Sequence, residues 1–320
     1  MSFKDENVIV FGMNNSLELA KEIGSVLKTE VSEVGQITFK DGEDLLYSYD
    51  TVRNKTVFII CNTSSPVNDN YMKLFIFVDS LKRASAKRII CVMTYYGYSR
   101  QDRKVQGRQP ITARLMADLL ERSGVDKVIA IDLHNPSIQG FFNIPVDDLR
   151  GHFIFSKELK NRNEKFTIVS PDHGGAVRAR QLSELLNNEE EIAIIDKRRT
   201  APNVSEIVSV LGNVKDKNVV IYDDIIDTGG TILHAAEALK KQGAKKIIIA
   251  ATHGLFSCGF ETFENSEIID EVIITNSIDH SNLKHFSKIK ILSLAQFLGL
   301  VIKANVENTS ITEIYHAYSK

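Results

Sequence analysis

The chain has 320 residues, of which 43% are hydrophobic and 25% are charged, and its formal net charge at pH 7 is −2. This length fits two domains of ordinary size, and the composition is typical of a globular enzyme. A net charge so close to zero provides no general attraction to nucleic acid or to an anionic membrane surface. We therefore expect neither a nucleic-acid partner nor a membrane partner.

The cysteines and the first residues indicate a compartment. Cys61, Cys91 and Cys258 are scattered and form no CxxC pair, which argues against a zinc site or a disulfide framework and favours reducing conditions. The first residues carry acids before a short apolar run, a pattern typical of neither a signal peptide nor a membrane span. We expect a cytoplasmic protein.

Short apolar runs alternate with amphipathic stretches along the chain. Strands are predicted at residues 8–11, 57–61, 89–93, 128–131, 167–170, 192–195, 219–222, 247–251, 272–275 and 289–293. Helices are predicted between many of them, at residues 16–27, 72–84, 112–123, 176–187 and 231–242. This alternation predicts an α/β architecture with mostly parallel sheets.

Two segments of equal length echo each other. Residues 69–89 and 227–247 are identical at six positions, and each follows one predicted strand and leads into another. Shared helix and strand patterns explain part of this identity, but their separation is close to half the chain, so we infer two copies of one domain type. Residues 228–231 (TGGT) let a phosphate approach the backbone, whereas residues 70–73 (NYMK) are bulky. A sugar-phosphate site is therefore expected only in the C-terminal half.

The acidic residues before the glycines predict a second kind of contact, in addition to the phosphate contacts of the glycine loop. Asp223 and Asp224 end an apolar run, and Asp227 opens the loop that leads into a helix. N–H and hydroxyl groups at a helix start bind phosphate, while carboxylates accept hydrogen bonds from vicinal sugar hydroxyls or hold water around a divalent cation. An ordinary turn explains an isolated Asp-Gly combination. The acidic pair with TGGT, however, resembles the type I phosphoribosyltransferase-like fold and indicates a ribose phosphate.

Further cationic and glycine-rich segments follow other predicted strands. Residues 96–110 contain several arginines, which form either a solvated surface or a polyphosphate site. His134 is either a turn residue or a ligand of metal or phosphate. Residues 172–175 (DHGG) open a helix and suit an anion, and Asp172 suits Mg²⁺.

Two short segments complete the set. Residues 197–199 (KRR) are either an exposed basic turn or a mobile loop that brings cations to a phosphoryl transition state. Residues 39–43 (FKDGE) predict a tight turn, which is either an ordinary acidic turn or a site whose aromatic ring stacks on an adenine and whose acids accept from its exocyclic amine. This amount of phosphate chemistry exceeds what a ribose phosphate requires and indicates a triphosphate co-substrate with Mg²⁺.

In this order and spacing the motifs resemble class I ribose-phosphate pyrophosphokinase over essentially the whole chain. The matching segments are FKDGE, NDNYMKL, GYSRQDRK, DLHNPSIQGFF, SPDHGGAVRAR, IDKRR, DDIIDTGGT and ATHGLFS. The resemblance implies two tandem type I phosphoribosyltransferase-like domains, each a mainly parallel sheet flanked by helices. The expected domains are residues 1–150, completed by residues 305–320, and residues 151–304.

The resemblance also implies roles for individual residues. The ATP-binding residues would be Phe39, Asp41, Gly42, Glu43, Arg100, Gln101 and Asp102. The ribose 5-phosphate residues would be Arg199, Asp223, Asp224, Asp227, Thr228, Gly229, Gly230 and Thr231. The pyrophosphate loop would be Asp172, His173, Gly174 and Gly175, with His134 and Asp172 as the Mg²⁺ ligands. Lys197 and Arg199 would be catalytic residues on a mobile loop.

The implied reaction transfers the β,γ-diphosphoryl group of ATP to the 1-hydroxyl of ribose 5-phosphate, giving phosphoribosyl pyrophosphate and AMP. The resemblance further implies a homohexamer in which neighbouring subunits share the ATP site. Residues 94–96 (TYY) and 257–259 (SCG) depart from the family's common pattern without removing an implied ligand.

Three alternatives differ in what they require. A phosphoribosyltransferase would share the DDIIDTGGT segment but would not need the N-terminal arginine-rich loop. A non-catalytic regulatory homologue of the synthetase would be favoured by loss of the cations at 197 and 199, which this chain keeps. A nucleotide-sensing repressor would need a DNA-binding segment, and the sequence shows no pattern typical of one.

Overall fold

The computed structural model describes residues 7–187, 191–201 and 204–319, except the side chains at 14, 197–208 and 319. These residues divide into two units. Unit 1 comprises the described residues up to Arg150 together with Ser277–Asp279 and Ser293–Ile311. Unit 2 comprises Gly151–Asn276, His280–Leu292 and the described residues from Thr312 onward. None of the helices in the described ranges is long and apolar enough to cross a membrane.

Unit 1 is built on a six-stranded parallel sheet. In chain order its elements before residue 150 are β1 (Val8–Gly12), α1 (Leu17–Leu27), β2 (Val31–Ser32), β3 (Val34–Thr38), β4 (Asp44–Ser48), β5 (Thr56–Asn62), α2 (Val67–Arg83), β6 (Arg88–Tyr95), α3 (Thr112–Ser123), β7 (Lys127–Ile131) and β8 (Val146–Leu149). The sheet order is β2-β1-β5-β6-β7-β8. The central strands β5 and β6 read as unbroken apolar runs because both faces of the sheet are covered.

Strands β3 and β4 form a separate antiparallel hairpin. Leu46 is buried, whereas Ile37 and Leu45 are exposed, so only part of the hairpin packs on its own unit. The carboxylate of Asp44 accepts a hydrogen bond from the Thr38 hydroxyl and lies 3.8 Å from the Lys73 ammonium of α2. The hairpin is therefore held against α2, and the residues of its turn are exposed.

Unit 2 contains a seven-stranded sheet. In chain order its elements are α4 (His152–Lys160), β9 (Thr167–Ser170), α5 (Ala176–Leu185), β10 (Ala193–Ala201), β11 (Val204–Leu211), β12 (Asn218–Ile226), α6 (Gly230–Lys241), β13 (Lys246–Gly254), α7 (Glu261–Glu264), β14 (Glu271–Thr275) and β15 (Ile289–Leu292). The sheet order is β11-β10-β9-β12-β13-β14-β15. The neighbouring strands are parallel except that β10 and β11 are antiparallel.

An ion-pair network joins helix α4 to two strands of unit 2. The Arg162 guanidinium contacts Glu158 at 2.7 Å and Glu271 at 2.5 and 2.9 Å. The Lys290 ammonium also contacts Glu158, at 2.6 Å. Partial burial by itself would raise the pKa of Glu158, but the hydrogen bonds from Lys290 and Arg162 lower it below its usual 4.5.

The C-terminal segment divides between the units. Helix α8 (Ala295–Glu307) belongs to unit 1 and packs on α1, where a Cβ added at Gly299 would lie 2.7 Å from Val26 Cγ1. Helix α9 (Thr312–Ser319) belongs to unit 2, and Tyr315 stacks on Phe153 of α4. The segment that returns to unit 1 after the second sheet is thus residues 293–311, where the sequence analysis expected 305–320. The difference arises because the buried apolar face of α8 begins well before residue 305.

The predicted α/β class with mainly parallel sheets is confirmed. Each predicted strand coincides with an observed strand, and each predicted helix with an observed helix. The hairpin β3–β4, strands β2, β8 and β11, and helices α4, α7, α8 and α9 were not predicted. Two strands also run further than expected, β10 to Ala201 and β12 to Ile226.

The two similar segments, residues 69–89 and 227–247, have the same structure at their C-terminal ends and different structures at their N-terminal ends. Helices α2 and α6 end at the aligned residues Arg83 and Lys241, and β6 and β13 begin at the aligned residues Arg88 and Lys246. Helix α6 begins at Gly230, but α2 begins at Val67, ahead of the aligned Met72. Additional helix in unit 1 thus occupies the chain positions that form the end of β12 and the following loop in unit 2.

Candidate active site

Two adjacent carboxylates lie near the carboxyl end of strand β12. The strand continues to Ile226, so Asp223 and Asp224 belong to the strand itself and not to the loop that follows it. Asp223 pairs with Ala251 of β13. Ligands of open parallel α/β sheets bind beyond the carboxyl ends of the strands, and this is where the acidic pair lies.

Arg178 of α5 bridges these carboxylates. Its Nη1 lies 3.0 Å from Oδ1 of Asp223 and 2.9 Å from Oδ1 of Asp224. Only 4% of the Asp224 side chain and 19% of the Arg178 side chain are exposed. Burial raises the pKa of the Asp223 carboxyl well above its usual range, Asp224 raises it further, and Arg178 lowers it. The guanidinium therefore favours the charged form of an acidic pair that burial disfavours.

The loop after β12 has the geometry of an anion site. Gly229 caps helix α6 with φ +85°, and its carbonyl accepts the N–H groups of Ile232 and Leu233 at 3.0 and 2.9 Å. A Cβ added at Gly230 would meet no atom within 4 Å, and both Thr228 and Thr231 are exposed. Because the first N–H groups of a helix have no intrahelical partners, this end of α6 presents donors to open space.

Asp227 is held by a neighbouring loop. Its Oδ1 accepts a hydrogen bond from the hydroxyl of Ser257, which follows strand β13. Ser257 is one of the positions at which the sequence departs from the family pattern. The departure therefore contacts an implied ribose 5-phosphate residue and fixes one of its oxygens.

The segment Asp172–Gly175 folds into a tight turn before α5. Oδ1 of Asp172 accepts the N–H of Gly175 at 2.9 Å, and the Ser170 hydroxyl donates to the Asp172 carbonyl at 2.6 Å. A Cβ at Gly175 would approach Ser170 Oγ to 2.8 Å, so the turn requires a glycine there. Asp172, His173 and Gly174 are exposed, which leaves this side of the turn open to a ligand.

The predicted catalytic cations lie on a strand. Lys197 and Arg199 belong to β10 and are paired with Ile207 and Ser205 of β11. The expected loop is therefore a β-hairpin, because β11 supplies hydrogen-bonding partners that a single apolar run does not predict. The side chains at 197 and 199 lie outside the described part of the structure. The residue before them, Asp196, has its Oδ1 3.0 Å from Nε2 of His173.

In unit 1 the implied adenine residues form the turn of the β3–β4 hairpin. Phe39 N–H donates to the Glu43 carbonyl at 2.8 Å, and Gly42 N–H donates to the Phe39 carbonyl at 3.0 Å. Asp41 accepts the N–H of Glu43, and Gly42 has φ +94°. Half of the Phe39 surface is exposed. Three hydrogen bonds hold the turn, and the Phe39 side chain is partly exposed beside them.

The arginine-rich loop lies beside the strand that precedes His134, because β6 and β7 are neighbours in the sheet. The Gln101 side chain accepts from the Thr112 hydroxyl at 2.6 Å, which anchors the loop to the start of α3. Asp102 accepts from Asn135 at 2.6 Å. The loop that carries Arg100 is thereby tied to the residue next to His134, and both Arg100 and His134 are exposed.

The residues that the structure describes contain no group of three or more His, Cys, Asp or Glu side chains that could hold a metal ion by themselves. Mg²⁺ prefers oxygen ligands, keeps several waters and binds through one or two carboxylates plus substrate phosphates. The exposed carboxylate of Asp172 is a ligand of this kind, and His134, which belongs to the other unit, is also exposed.

Sequence reasoning grouped Asp223, Asp224 and Asp227–Thr231 correctly as neighbours, since they follow one another on one strand and loop. It missed the specific contacts of Arg178, Ser257 and Asp196, each of which comes from a distant part of the sequence. The arrangement in unit 2 combines carboxylates that can accept hydrogen bonds from sugar hydroxyls with N–H groups that can donate hydrogen bonds to a phosphate. A ribose phosphate requires both.

Two sequence models match the chain. The N-terminal domain of ribose phosphate pyrophosphokinase matches residues 8–124, and the phosphoribosyl transferase domain matches residues 149–272.

Individual proteins match over almost the full length. The ribose-phosphate pyrophosphokinase of Mycoplasmopsis pulmonis is 56% identical over 314 residues, with 98% of each chain covered. That of Bacillus subtilis is 44% identical over 314 residues, again with 98% of each chain covered. The solved structure of phosphoribosylpyrophosphate synthetase from Mycobacterium smegmatis aligns with a TM-score of 0.87 at 37% identity, covering 94% of this chain and 99% of that chain.

Proposed function

The chain belongs to the ribose-phosphate pyrophosphokinase family, and on that premise we propose how its own residues carry out the reaction. It is a ribose-phosphate diphosphokinase that transfers the β,γ-diphosphoryl group of ATP to the 1-hydroxyl of ribose 5-phosphate, with AMP as the second product. The observation that carries the residue assignment is the site in unit 2. There the Asp223–Asp224 pair stands on the strand that runs into an open glycine loop at the start of α6.

In the proposed acceptor site the loop binds the 5-phosphate. The N–H groups and hydroxyls of Thr228–Thr231 donate to the phosphate oxygens, and the open space at Gly230 admits them. Asp223, Asp224 and Asp227 accept hydrogen bonds from the ribose hydroxyls. The sugar is thus held at both ends, which orients its 1-hydroxyl for attack.

The family resemblance assigns the donor side of the reaction to two sets of residues. The Asp172–Gly175 turn binds the transferring diphosphoryl group, and Arg100, Gln101 and Asp102 contact the ATP phosphates or ribose. Phe39 stacks on the adenine, with Asp41, Gly42 and Glu43 beside it. The exposed ring of Phe39 supports this role.

For the chemical step we assign no protein nucleophile. The 1-hydroxyl oxygen attacks the β-phosphorus in line and AMP leaves, so the protein positions the reactants and stabilises charge. Lys197 and Arg199 neutralise charge on the transferring group and the leaving oxygen. Mg²⁺, which we assign to His134 and Asp172 with substrate oxygens, would supply charge neutralisation and orientation of the phosphates when bound.

We further propose that the protein acts as a homohexamer in the cytoplasm, with the Phe39 turn completing the ATP site of a neighbouring subunit. The exposed apolar residues Ile37 and Leu45 on the same hairpin support a partner there. Light scattering of the full chain tests the assembly, and a monomeric protein with full activity would exclude the shared site.

The decisive assay measures AMP released from ATP in the presence and absence of ribose 5-phosphate. We expect AMP and phosphoribosyl pyrophosphate in equal amounts, dependent on both substrates and on Mg²⁺. A phosphoribosyltransferase would make neither product from these substrates. A non-catalytic regulatory homologue would be inactive alone and would alter the rate of an active synthetase added to it.

A further inference from the structure

Arg178 contacts both carboxylates of the acidic pair in the acceptor site, although the proposed reaction assigns it no contact with either substrate. One nitrogen, Nη1, lies within hydrogen-bond distance of both Asp223 and Asp224. The side chain comes from α5, the helix that begins directly after the Asp172–Gly175 turn. An arginine that bridges two adjacent carboxylates from a different helix constrains both of them together.

The contact also determines which oxygen of Asp223 a ligand meets. Oδ1 of Asp223 accepts from Arg178 and, at 2.9 Å, from the backbone N–H of Asp224. Both of these contacts use the same oxygen, so Oδ2 is the one that a sugar hydroxyl would meet. Rotation of the carboxyl group about its χ2 bond would break two hydrogen bonds at once, which keeps Oδ2 in place.

We propose that Arg178 is a positioning residue for ribose 5-phosphate: it fixes the orientation of Asp223 and Asp224 as acceptors for the ribose hydroxyls and does not itself contact the transferring diphosphoryl group. This inference rests on the proposed acceptor role of the acidic pair. Without the guanidinium, two like charges on neighbouring and partly buried residues would repel each other, since only 22% of the Asp223 side chain and 4% of the Asp224 side chain are exposed. The carboxyl groups would then turn apart or share a proton, and either change removes acceptors from the sugar.

The same unit offers a matched control. Arg162 is also a partly buried arginine that bridges two carboxylates, Glu158 and Glu271, with 15% of its side chain exposed. Glu271 is the first residue of β14. It therefore lies where the parallel strands begin, whereas the acidic pair lies near their carboxyl ends. Replacement of Arg162 tests what the loss of a structural ion pair does to the enzyme without altering the acceptor carboxylates.

The experiment compares the full-length wild type with Arg178→Lys, Arg178→Met and Arg162→Met. Calorimetry measures the affinity for ribose 5-phosphate, steady-state kinetics gives KM for each substrate, and thermal unfolding reports folding. We expect Arg178→Lys to lose about tenfold and Arg178→Met on the order of a hundredfold in ribose 5-phosphate affinity, since one partner of a desolvated pair is removed. KM for ATP should stay within about twofold, and Arg162→Met should bind ribose 5-phosphate like the wild type.

A double-mutant cycle tests whether Arg178 acts through Asp223. In the Asp223→Asn background, Arg178→Lys should cause a smaller loss of ribose 5-phosphate affinity than it does in the wild type, because one of the two acceptors that Arg178 orients is already gone. This arm uses the conservative variant and so remains informative if Arg178→Met does not fold.

Three results would overturn the inference. One is unchanged ribose 5-phosphate affinity in Arg178→Lys and Arg178→Met. The second is an equal loss in Arg162→Met, which would indicate general destabilisation. The third is a rise in KM for ATP that matches or exceeds the rise for ribose 5-phosphate, which would make Arg178 a direct phosphate ligand. A wild type that neither binds ribose 5-phosphate nor releases AMP would instead refute the proposed function itself.

Discussion

The ring of Phe263 closes the space behind Gly229: a Cβ added at Gly229 would lie 2.4 Å from Phe263 Cζ. Phe263 itself is fully buried and packs on Phe256 and Phe260. The start of α6 therefore packs on a buried aromatic cluster, which leaves no room for a side chain at Gly229. The neighbouring residues Gly229 and Gly230 therefore differ in whether the fold tolerates a side chain there.

Gly229→Ala should destabilise the protein as well as the site. The residue has φ +85°, where an L side chain is strained, and the added methyl group would collide with Phe263. We expect the free energy of unfolding to fall by about 2 kcal/mol and KM for ribose 5-phosphate to rise. Chemical denaturation and steady-state kinetics measure the two effects, and a variant as stable as the wild type would contradict the inferred clash.

Gly230→Val should abolish ribose 5-phosphate binding without loss of stability. The position is open, with no atom of the surrounding structure within 4 Å of an added Cβ, so we expect the valine to be tolerated by the fold while it occupies the space assigned to the phosphate. Calorimetry with ribose 5-phosphate and thermal unfolding of the same sample provide the test. Retained affinity would place the phosphate elsewhere.

Lys197→Ala should lower turnover by about a thousandfold or more while the affinity for ribose 5-phosphate changes little. The lysine is assigned to charge that develops only in the transition state, so its loss should appear in kcat. Rapid-quench measurement of AMP formation tests this, with calorimetry as the binding control. Near-normal turnover would rule out the catalytic role.

Phe39→Ala should raise KM for ATP by about tenfold, because the stacking surface for the adenine is lost. Half of the ring is exposed in the hairpin turn, so we expect no change in thermal unfolding and none in KM for ribose 5-phosphate. Kinetics at varied ATP concentration measures the effect. If both KM values rose together, the turn would be acting on the whole fold and not on the adenine.

The Glu158 network predicts a dependence of stability on pH. The pKa of Glu158 in the folded protein lies below its ordinary 4.5, so its contribution is present above pH 4.5 and is lost as the pH falls through the lowered value. We expect Glu158→Gln to cost about 1 to 2 kcal/mol at pH 7 and progressively less in acid. Denaturant titrations of the wild type and of Glu158→Gln from pH 7 to pH 3 test whether their free energies of unfolding converge. If the difference between the two free energies did not change with pH, an ionised Glu158 would be excluded as its source.

The sheets could be predicted because their strands are buried on both faces and read as unbroken apolar runs, as Val57–Cys61 does. The hairpin β3–β4 could not, because Ile37 and Leu45 are exposed and the sequence has no alternation of buried and polar positions there. Helix α8 is buried on most sides, so its apolar residues do not form a single stripe that would mark a helix.

The site was predictable to the extent that it is local. Asp223 and Gly230 lie on one continuous segment, and their order along the chain already indicates a ribose phosphate. The bridge from Arg178 to the acidic pair and the bond from Ser257 to Asp227 depend on which helix and loop pack beside β12. Hydrogen-bond partners of this kind are set by the tertiary fold, and no local pattern encodes them.

The early start of α2 has a consequence for the history of the two halves. In unit 1 the residues before that helix are locked by buried hydrogen bonds, from Asn70 to the Ser64 carbonyl and from the Ser64 hydroxyl to Asn62. Writing glycines into residues 70–73 would therefore not recreate a second sugar pocket, because a turn of helix would have to unwind and these buried amides would lose their partners. A sugar pocket in unit 1 would therefore need several coordinated changes, and glycines alone would not supply them.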